Sequence, residues 1–286
     1  MSLIYNATFD SQTRILSLLD KAGNVISSCE VPSKSKELTL TATADNSSVK
    51  LIKNGTLSNT YEVNTGSGWQ SYTFGTVIPL NAGQSCKWRC SAHPTTQTFS
   101  SYVQFVMTGQ IEASGNCNSM LNSDFEGITS LTGYDYAFMS LFINCTSLTK
   151  APELPATDLS PSCYRSMFFG CESLVKSPEL PATTLADYCY FQVFLGCKSL
   201  VKSPELPATT LADYCYRQML FGCSKLNEVR ISATTTAADA LDLWLANVSS
   251  TGDFYCDPNA TIFPTDNTSG IPSGWVRLNI NDYPQT

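Results

Sequence analysis

Twelve cysteines and two repeating sets of opposite charge are the residues of this chain with chemistry to offer. Cys145, Cys171, Cys197 and Cys223 recur every 26 residues, and Cys163, Cys189 and Cys215 recur at the same interval between them. Thiols in such columns could ligate a metal, form disulfides or pack as reduced sulfur. A zinc site needs four ligands at close spacing, commonly with histidine, but eight positions separate Cys189 from Cys197 and no histidine lies near. Column neighbours in stacked coils stand about 5 Å apart, which suits a disulfide by distance, while their parallel Cβ vectors oppose it. Reduced, buried thiols are therefore expected, with no metal and no cofactor.

Lys150, Lys176 and Lys202 form one charged column, and Glu153, Glu179 and Glu205 form another three residues further on. Like charges stacked at coil spacing repel, and an adjacent column of opposite sign offsets that on a solvated face. These six residues read either as a solubilising ladder or as a ligand face that repeats the same chemistry, suited to a polymer. Tyr164, Tyr190 and Tyr216 make a third column, read as packing within the repeat, with stacking on sugar rings as the alternative. Trp69, Tyr72 and Trp88 pose the same choice nearer the N-terminus. Cys86, Cys90 and Cys117 read as buried sulfur. His93, the only histidine, sits in a turn-like stretch with no nucleophile or orienting acid marked beside it, and reads as an exposed loop residue. No residue is assigned a catalytic role, and no isolated carboxylate pair suggests glycoside cleavage.

The elements that must position these residues are of two kinds. A 26-residue self-similarity marks a solenoid, in which each unit is too small to bury its own apolar face and stacks on its neighbours. Cys171–Gly196 and Cys197–Gly222 differ at only five positions. Within each repeat, Leu159, Cys163 and Met167, then Leu185, Cys189 and Val193, then Leu211, Cys215 and Met219, fall at i, i+4 and i+8, which predicts a short helix. Thr183 or Thr184 would cap the second, and Gly196 suits a closing residue with positive φ, as does Asn144 in a degenerate earlier unit. Leu174–Ser177 is the candidate parallel strand. It is expected to be short, because Pro178 and Pro181 lack the amide donors that an inter-coil ladder uses.

Ahead of the repeats, alternating runs at Glu37–Ala44, Val49–Lys53, Thr60–Asn64, Trp69–Thr73, Thr76–Leu80, Ser85–Ser91 and Tyr102–Ala113 predict an antiparallel sandwich or barrel ending near Cys117. Short strands around the turn Lys21–Asn24 form a β arm, and Pro32, Ser33 and Ser35 mark a boundary. After the repeats, Leu226–Ile231 reads as the last strand and Thr236–Asn247 as a helix within a terminal cap. The expected organisation is a β arm over 1–34, a β-sandwich over 35–118, a solenoid over 119–228 and a cap over 229–286.

Charged residues make up 14% of the chain, below the usual quarter, and the net charge is −7. With no basic stripe, a nucleic-acid partner is not expected. No run reaches 18 apolar residues and no export signal is visible at the start, so neither membrane insertion nor export is expected.

The repeat Leu-Pro-Ala-Thr-Thr-Leu-x-x-x-Cys-Tyr-x-x-x-Phe-x-Gly-Cys-x-Ser-Leu resembles the BspA-like leucine-rich repeats of Bacteroidales bacteria and of the phages that infect them. Gly115–Leu121 is similar to the lead-in of such proteins, and Thr251–Phe254 with Gly270–Trp275 is similar to their C-terminal cap. The resemblance implies a mixed fold, with an all-β arm and an antiparallel β-sandwich followed by a short leucine-rich-repeat α/β solenoid and a cap. It further implies surface display and adhesion without catalysis. On that expectation the chain is a phage virion structural protein, a fibre, tail or head-decoration adhesin. Its N-terminal arm would dock on other virion proteins, its repeat face would meet host surface glycan or protein, and it would be a homo-oligomer. The alternative implied is a BspA-like adhesin on the bacterial cell surface.

Overall fold

A computed structural model describes residues 6–10, 15–30, 36–93 and 96–283, which fall into two compact units, Met1–Lys36 and Glu37–Thr286. In the first unit, strands β1 (Asn6–Asp10), β2 (Ile15–Leu19) and β3 (Val25–Glu30) form an antiparallel sheet in the order β1-β2-β3. The Asp20 carboxylate closes the β2–β3 turn by accepting from the amides of Ala22 and Asn24. The boundary read at Pro32, Ser33 and Ser35 lies outside the described residues.

The second unit opens with β4 (Leu38–Ala42), β5 (Ser47–Asn54), β6 (Thr60–Asn64), β7 (Gln70–Ser71), β8 (Ile78–Leu80), β9 (Ser85–Ala92), β10 (Tyr102–Thr108) and β11 (Ile111–Ser114). Side chains alternate inward along β4, β5, β9 and β10, as a half-buried sheet requires. One sheet runs β10-β5-β8, and β4, β6, β7, β9 and β11 belong to the other. The two meet at Trp88 and Phe105, whose rings sit edge to face at 5.1 Å. The single run expected over Tyr102–Ala113 is broken into β10 and β11 at Gly109. There φ is +79°, and a Cβ would collide with Ser47.

β11 joins the sandwich to the solenoid. It pairs antiparallel with β4 on one side and parallel with β12 (Leu148–Lys150) on the other. The Phe105 amide donates to the Leu141 carbonyl at 2.8 Å. The sandwich thus supplies the first rung on which the repeats stack, and one continuous core runs through both.

The repeats are not helical. Among the described residues the only helical segments are two short 3-10 turns, Cys117–Met120 and Ile280–Asp282. The helices expected over Leu159–Met167, Leu185–Val193 and Leu211–Met219, and the one expected over Thr236–Asn247, are trains of tight turns. In the second repeat Cys189, Phe191, Val193 and Leu195 donate to carbonyls three residues back, while Tyr188, Gln192, Phe194 and Gly196 donate to carbonyls of the next coil. Tyr188, Gln192 and Gly196 all have positive φ, so a left-handed residue recurs at every fourth position. The trains at Tyr136, Ser140 and Asn144, and at Tyr214, Gln218 and Gly222, repeat this.

The physical reason is donor supply. An α-helix spends its interior amides on itself, whereas this train keeps every second amide for the neighbouring coil. A four-residue period resembles a helical one over two turns, since four helical residues overshoot a full rotation by only about 40°. Gly196 and Asn144 do have the positive φ expected of them, as the last of three such residues rather than as helix caps.

The inner face is built from ladders. Phe105, Phe142, Phe168 and Phe194 stack at 5.3, 5.5 and 5.6 Å between successive centroids. Phe138, Tyr164, Tyr190 and Tyr216 stack beside them at 5.4, 5.6 and 6.0 Å. The thiols of Cys145, Cys171, Cys197 and Cys223 donate to the carbonyls of Phe105, Phe142, Phe168 and Phe194 at 3.1–3.3 Å.

The coils also continue past the sequence repeat. β13 (Lys202–Leu206), β14 (Glu228–Ile231), β15 (Gly252–Cys256) and β16 (Trp275–Asn279) form a parallel sheet in chain order. The strand at 228–231 is therefore not the last. Asp239, Leu243 and Asn247 carry the positive-φ pattern into this region without the Gly-Cys signature.

Candidate ligand-binding face

All six residues of the Lys and Glu columns are exposed and share one face of the solenoid. The extended segments 150–156, 176–182 and 202–208 bring them there. In each, Lys and Glu point outward while Pro152, Pro178 and Pro204, and Leu154, Leu180 and Leu206, point inward. Stacking then aligns each residue type across coils.

The same segments hold the face open. Pro152, Pro178 and Pro204 form one column, and Pro155, Pro181 and Pro207 another, so two potential donors per coil are missing. Between the first two segments the pairing shrinks to an isolated bridge, Lys150 to Lys176. No backbone hydrogen bond joins 176–182 to 202–208 among the described residues. Two clefts lie along these seams. One, of about 390 Å³, is lined by Lys150, Pro152, Glu153, Lys176, Pro178 and Glu179. The other, of about 490 Å³, continues past Lys202, Pro204 and Glu205 to Glu228, Arg230 and Tyr283.

The two ends of this face differ in charge pairing. Lys202 meets Glu228 at 2.8 Å, and that hydrogen bond holds its ammonium above the usual lysine range. Glu205 meets Arg230 at 3.1 Å. In both columns the sign reverses at the fourth coil, since Lys202 stands opposite Glu228 and Glu205 opposite Arg230 in the strand register. Tyr283 completes the closure, its hydroxyl donating to Glu228 at 2.7 Å and its ring lying 4.6 Å from the Arg230 guanidinium. Lys150, Glu153, Lys176 and Glu179 have no side-chain hydrogen bond or ion pair among the described residues. Glu228 stands one 26-residue repeat beyond Lys202, but Arg230 stands 25 residues beyond Glu205 after a shift in strand register, so the period alone does not reveal the reversal.

The other candidates are structural. Tyr164, Tyr190 and Tyr216 are each 1% exposed, so their rings stack on one another and present nothing to a sugar. Trp88 is fully buried, with its indole donating to Cys86 Sγ at 3.3 Å. The Tyr72 hydroxyl is held by Leu51 and Thr76. Trp69 is half-buried, with the Arg89 guanidinium 4.3 Å from its ring. The eleven cysteines from Cys86 to Cys256 are free and buried. Burial pushes the thiols of Cys145, Cys163, Cys215 and Cys223 up to about 12, and no described group of His, Cys, Asp and Glu forms a metal-binding cluster. His93 is half-buried rather than exposed, its Nε2 buried without a partner, and burial lowers its pKa.

No family model, no curated protein and no solved structure matches this chain, so what it is rests on the geometry above: a β-sandwich continued by a solenoid with one proline-opened, zwitterionic face.

Proposed function

We propose that the protein is a non-enzymatic attachment protein whose Lys/Glu face receives an extended polymer, a host surface glycan or protein segment. The observation that supports this reading is a proline-floored seam repeated between successive coils, with unpaired ammonium and carboxylate groups at Lys150, Glu153, Lys176 and Glu179. A repeated site suits a repeating ligand, because each added coil adds a contact without a new search for the ligand. The repeat's resemblance to BspA-like leucine-rich repeats points the same way and suggests a setting, the surface of a phage virion. There the N-terminal three-stranded unit would serve as the docking arm.

Two measurements test this. Replacing Lys150, Glu153, Lys176 and Glu179 together by Ala is expected to abolish binding to whole host cells. Undiminished binding by a folded variant rejects the face. Deleting residues 1–34 is expected to leave the sandwich and solenoid folded and to release the protein from particles. Normal incorporation of the truncated protein rejects the arm, and immunogold labelling of a bacterial envelope instead of particles would favour the cell-surface adhesin.

A further inference from the structure

The turn-train side of the solenoid carries a second feature, separate from the Lys/Glu face. Arg165 lies among three aromatic rings, 4.4 Å from the Phe191 centroid, 5.1 Å from Phe99 and 5.5 Å from Tyr188. Phe99 comes from the loop before β10 and is 64% exposed, so the rings form an open frame around the guanidinium. Burial lowers the pKa of Arg165, and the phenols of Tyr136 and Tyr188 lie near enough to raise it again. An arginine so placed remains charged at neutral pH. Yet it has no ion pair and no side-chain hydrogen bond among the described residues, so its planar set of N–H donors is left without a partner.

The chain contains its own control. Arg217 lies two coils on in the same column and packs on Tyr214 at 5.6 Å, but Asp242 meets it at 3.1 Å and Asp239 at 4.0 Å. A guanidinium in this column is thus neutralised in one place and left open, among three rings, in the other.

We propose that Arg165 receives the carboxylate of an acidic sugar, a uronic-acid type residue. A guanidinium grips a carboxylate through two parallel N–H···O bonds, a geometry an ammonium cannot copy. The exposed Phe99 ring, with the half-buried Tyr188 and Phe191 rings beside it, suits the apolar face of a pyranose, and the Tyr136 and Tyr188 hydroxyls are free to bond its hydroxyls. With only one open guanidinium here and a net charge of −7, the chain favours a sparsely charged glycan over a dense polyanion.

The test is saturation-transfer NMR and calorimetric titration of the full chain with methyl glucuronide, methyl glucoside and an acetylated glutamate tripeptide. The expected result is saturable binding of the glucuronide, at least tenfold weaker binding of the glucoside, and no stronger binding of the peptide. Arg165→Met and Arg165→Lys should each lose tenfold or more, while Arg217→Met binds as the parent does. Because Arg165→Met removes the packing partner of Phe99, Phe99→Ala provides a second variant, expected to weaken sugar binding with the guanidinium retained. Equal binding of glucoside and glucuronide, binding unchanged in Arg165→Lys, or no saturable binding at all overturns the proposal. Tighter binding of the glutamate peptide overturns the sugar and reassigns the site to an acidic protein segment.

Discussion

The two halves of the solenoid solve the same stacking problem with different forces. From Phe105 to Tyr216 the coils are joined inside by aromatic and sulfur ladders and by the turn trains, while prolines leave their extended face open. From Lys202 to Asn279 the aromatic columns end and a continuous parallel sheet takes over, with Lys202–Glu228 and Glu205–Arg230 paired across its first two strands. Both halves share the backbone bonds of the turn trains, so the difference lies on the extended face, where coil-to-coil pairing is sparse in the first half and continuous in the second. A face whose backbone pairing is not needed for stability is free to be a binding surface.

Alkaline pH should separate the halves most strongly. An ordinary thiol titrates at 9.0, whereas burial holds Cys145, Cys163, Cys215 and Cys223 up to about 12. The unfolded chain therefore releases protons that the folded chain retains. The stability from each such thiol is fully present below pH 9 and falls by about 1.4 kcal/mol per pH unit as pH rises towards 12. Because these columns lie mainly in the proline-opened half, hydrogen exchange along an alkaline titration should show that half opening first. Simultaneous opening of the 228–279 sheet would contradict the comparison.

Phe168→Ala comes next in size. Phe168 is fully buried between Phe142 and Phe194, and its loss should cost about 3–5 kcal/mol, read from denaturant unfolding. The double change Pro178→Val with Pro181→Val should restore two donors to the second segment. Two added hydrogen bonds at about 1 kcal/mol each are partly offset by the lost stiffness of proline in the unfolded chain, so stability should move by only about 1 kcal/mol. The informative readout is slower amide exchange over 176–182 together with weaker ligand binding. Arg230→Ala should be smallest, about 1 kcal/mol or less, because its partner Glu205 is half-exposed, and the loss should shrink further in high salt.

Much of this architecture is legible in residue patterns. Thr60–Asn64 is a strand as read, and most other strands of the sandwich lie within or close to their alternating runs, since alternation over a half-buried sheet leaves little choice of face. The 26-residue period announces stacked coils, and the effect of Pro178 on the ladder follows from its missing amide. The segments starting at Leu159, Leu185, Leu211 and Thr236 are not helices, and the sequence does not show this because spacing of i, i+4 and i+8 fits both a helix and a train of four-residue turns. What distinguishes them is the left-handed conformation of Tyr188 and Gln192, which residue type does not signal.

The continuation through β15 and β16 left no repeat to see, because burial of Phe254 and Trp275 needs the coil path but not the Gly-Cys motif. The Lys and Glu columns are exposed as their period implies, yet which of them are open was decided by Glu228, Arg230 and Tyr283 folding back on the third coil. Arg165 and Arg217 share a column, and nothing local marks one as framed and open and the other as paired. Sequence alone determined that this chain stacks coils at a 26-residue interval and lines one face with lysine, proline and glutamate, since period and proline chemistry are local properties. Only the tertiary structure decided which charges are satisfied, because that depends on partners one or more coils away.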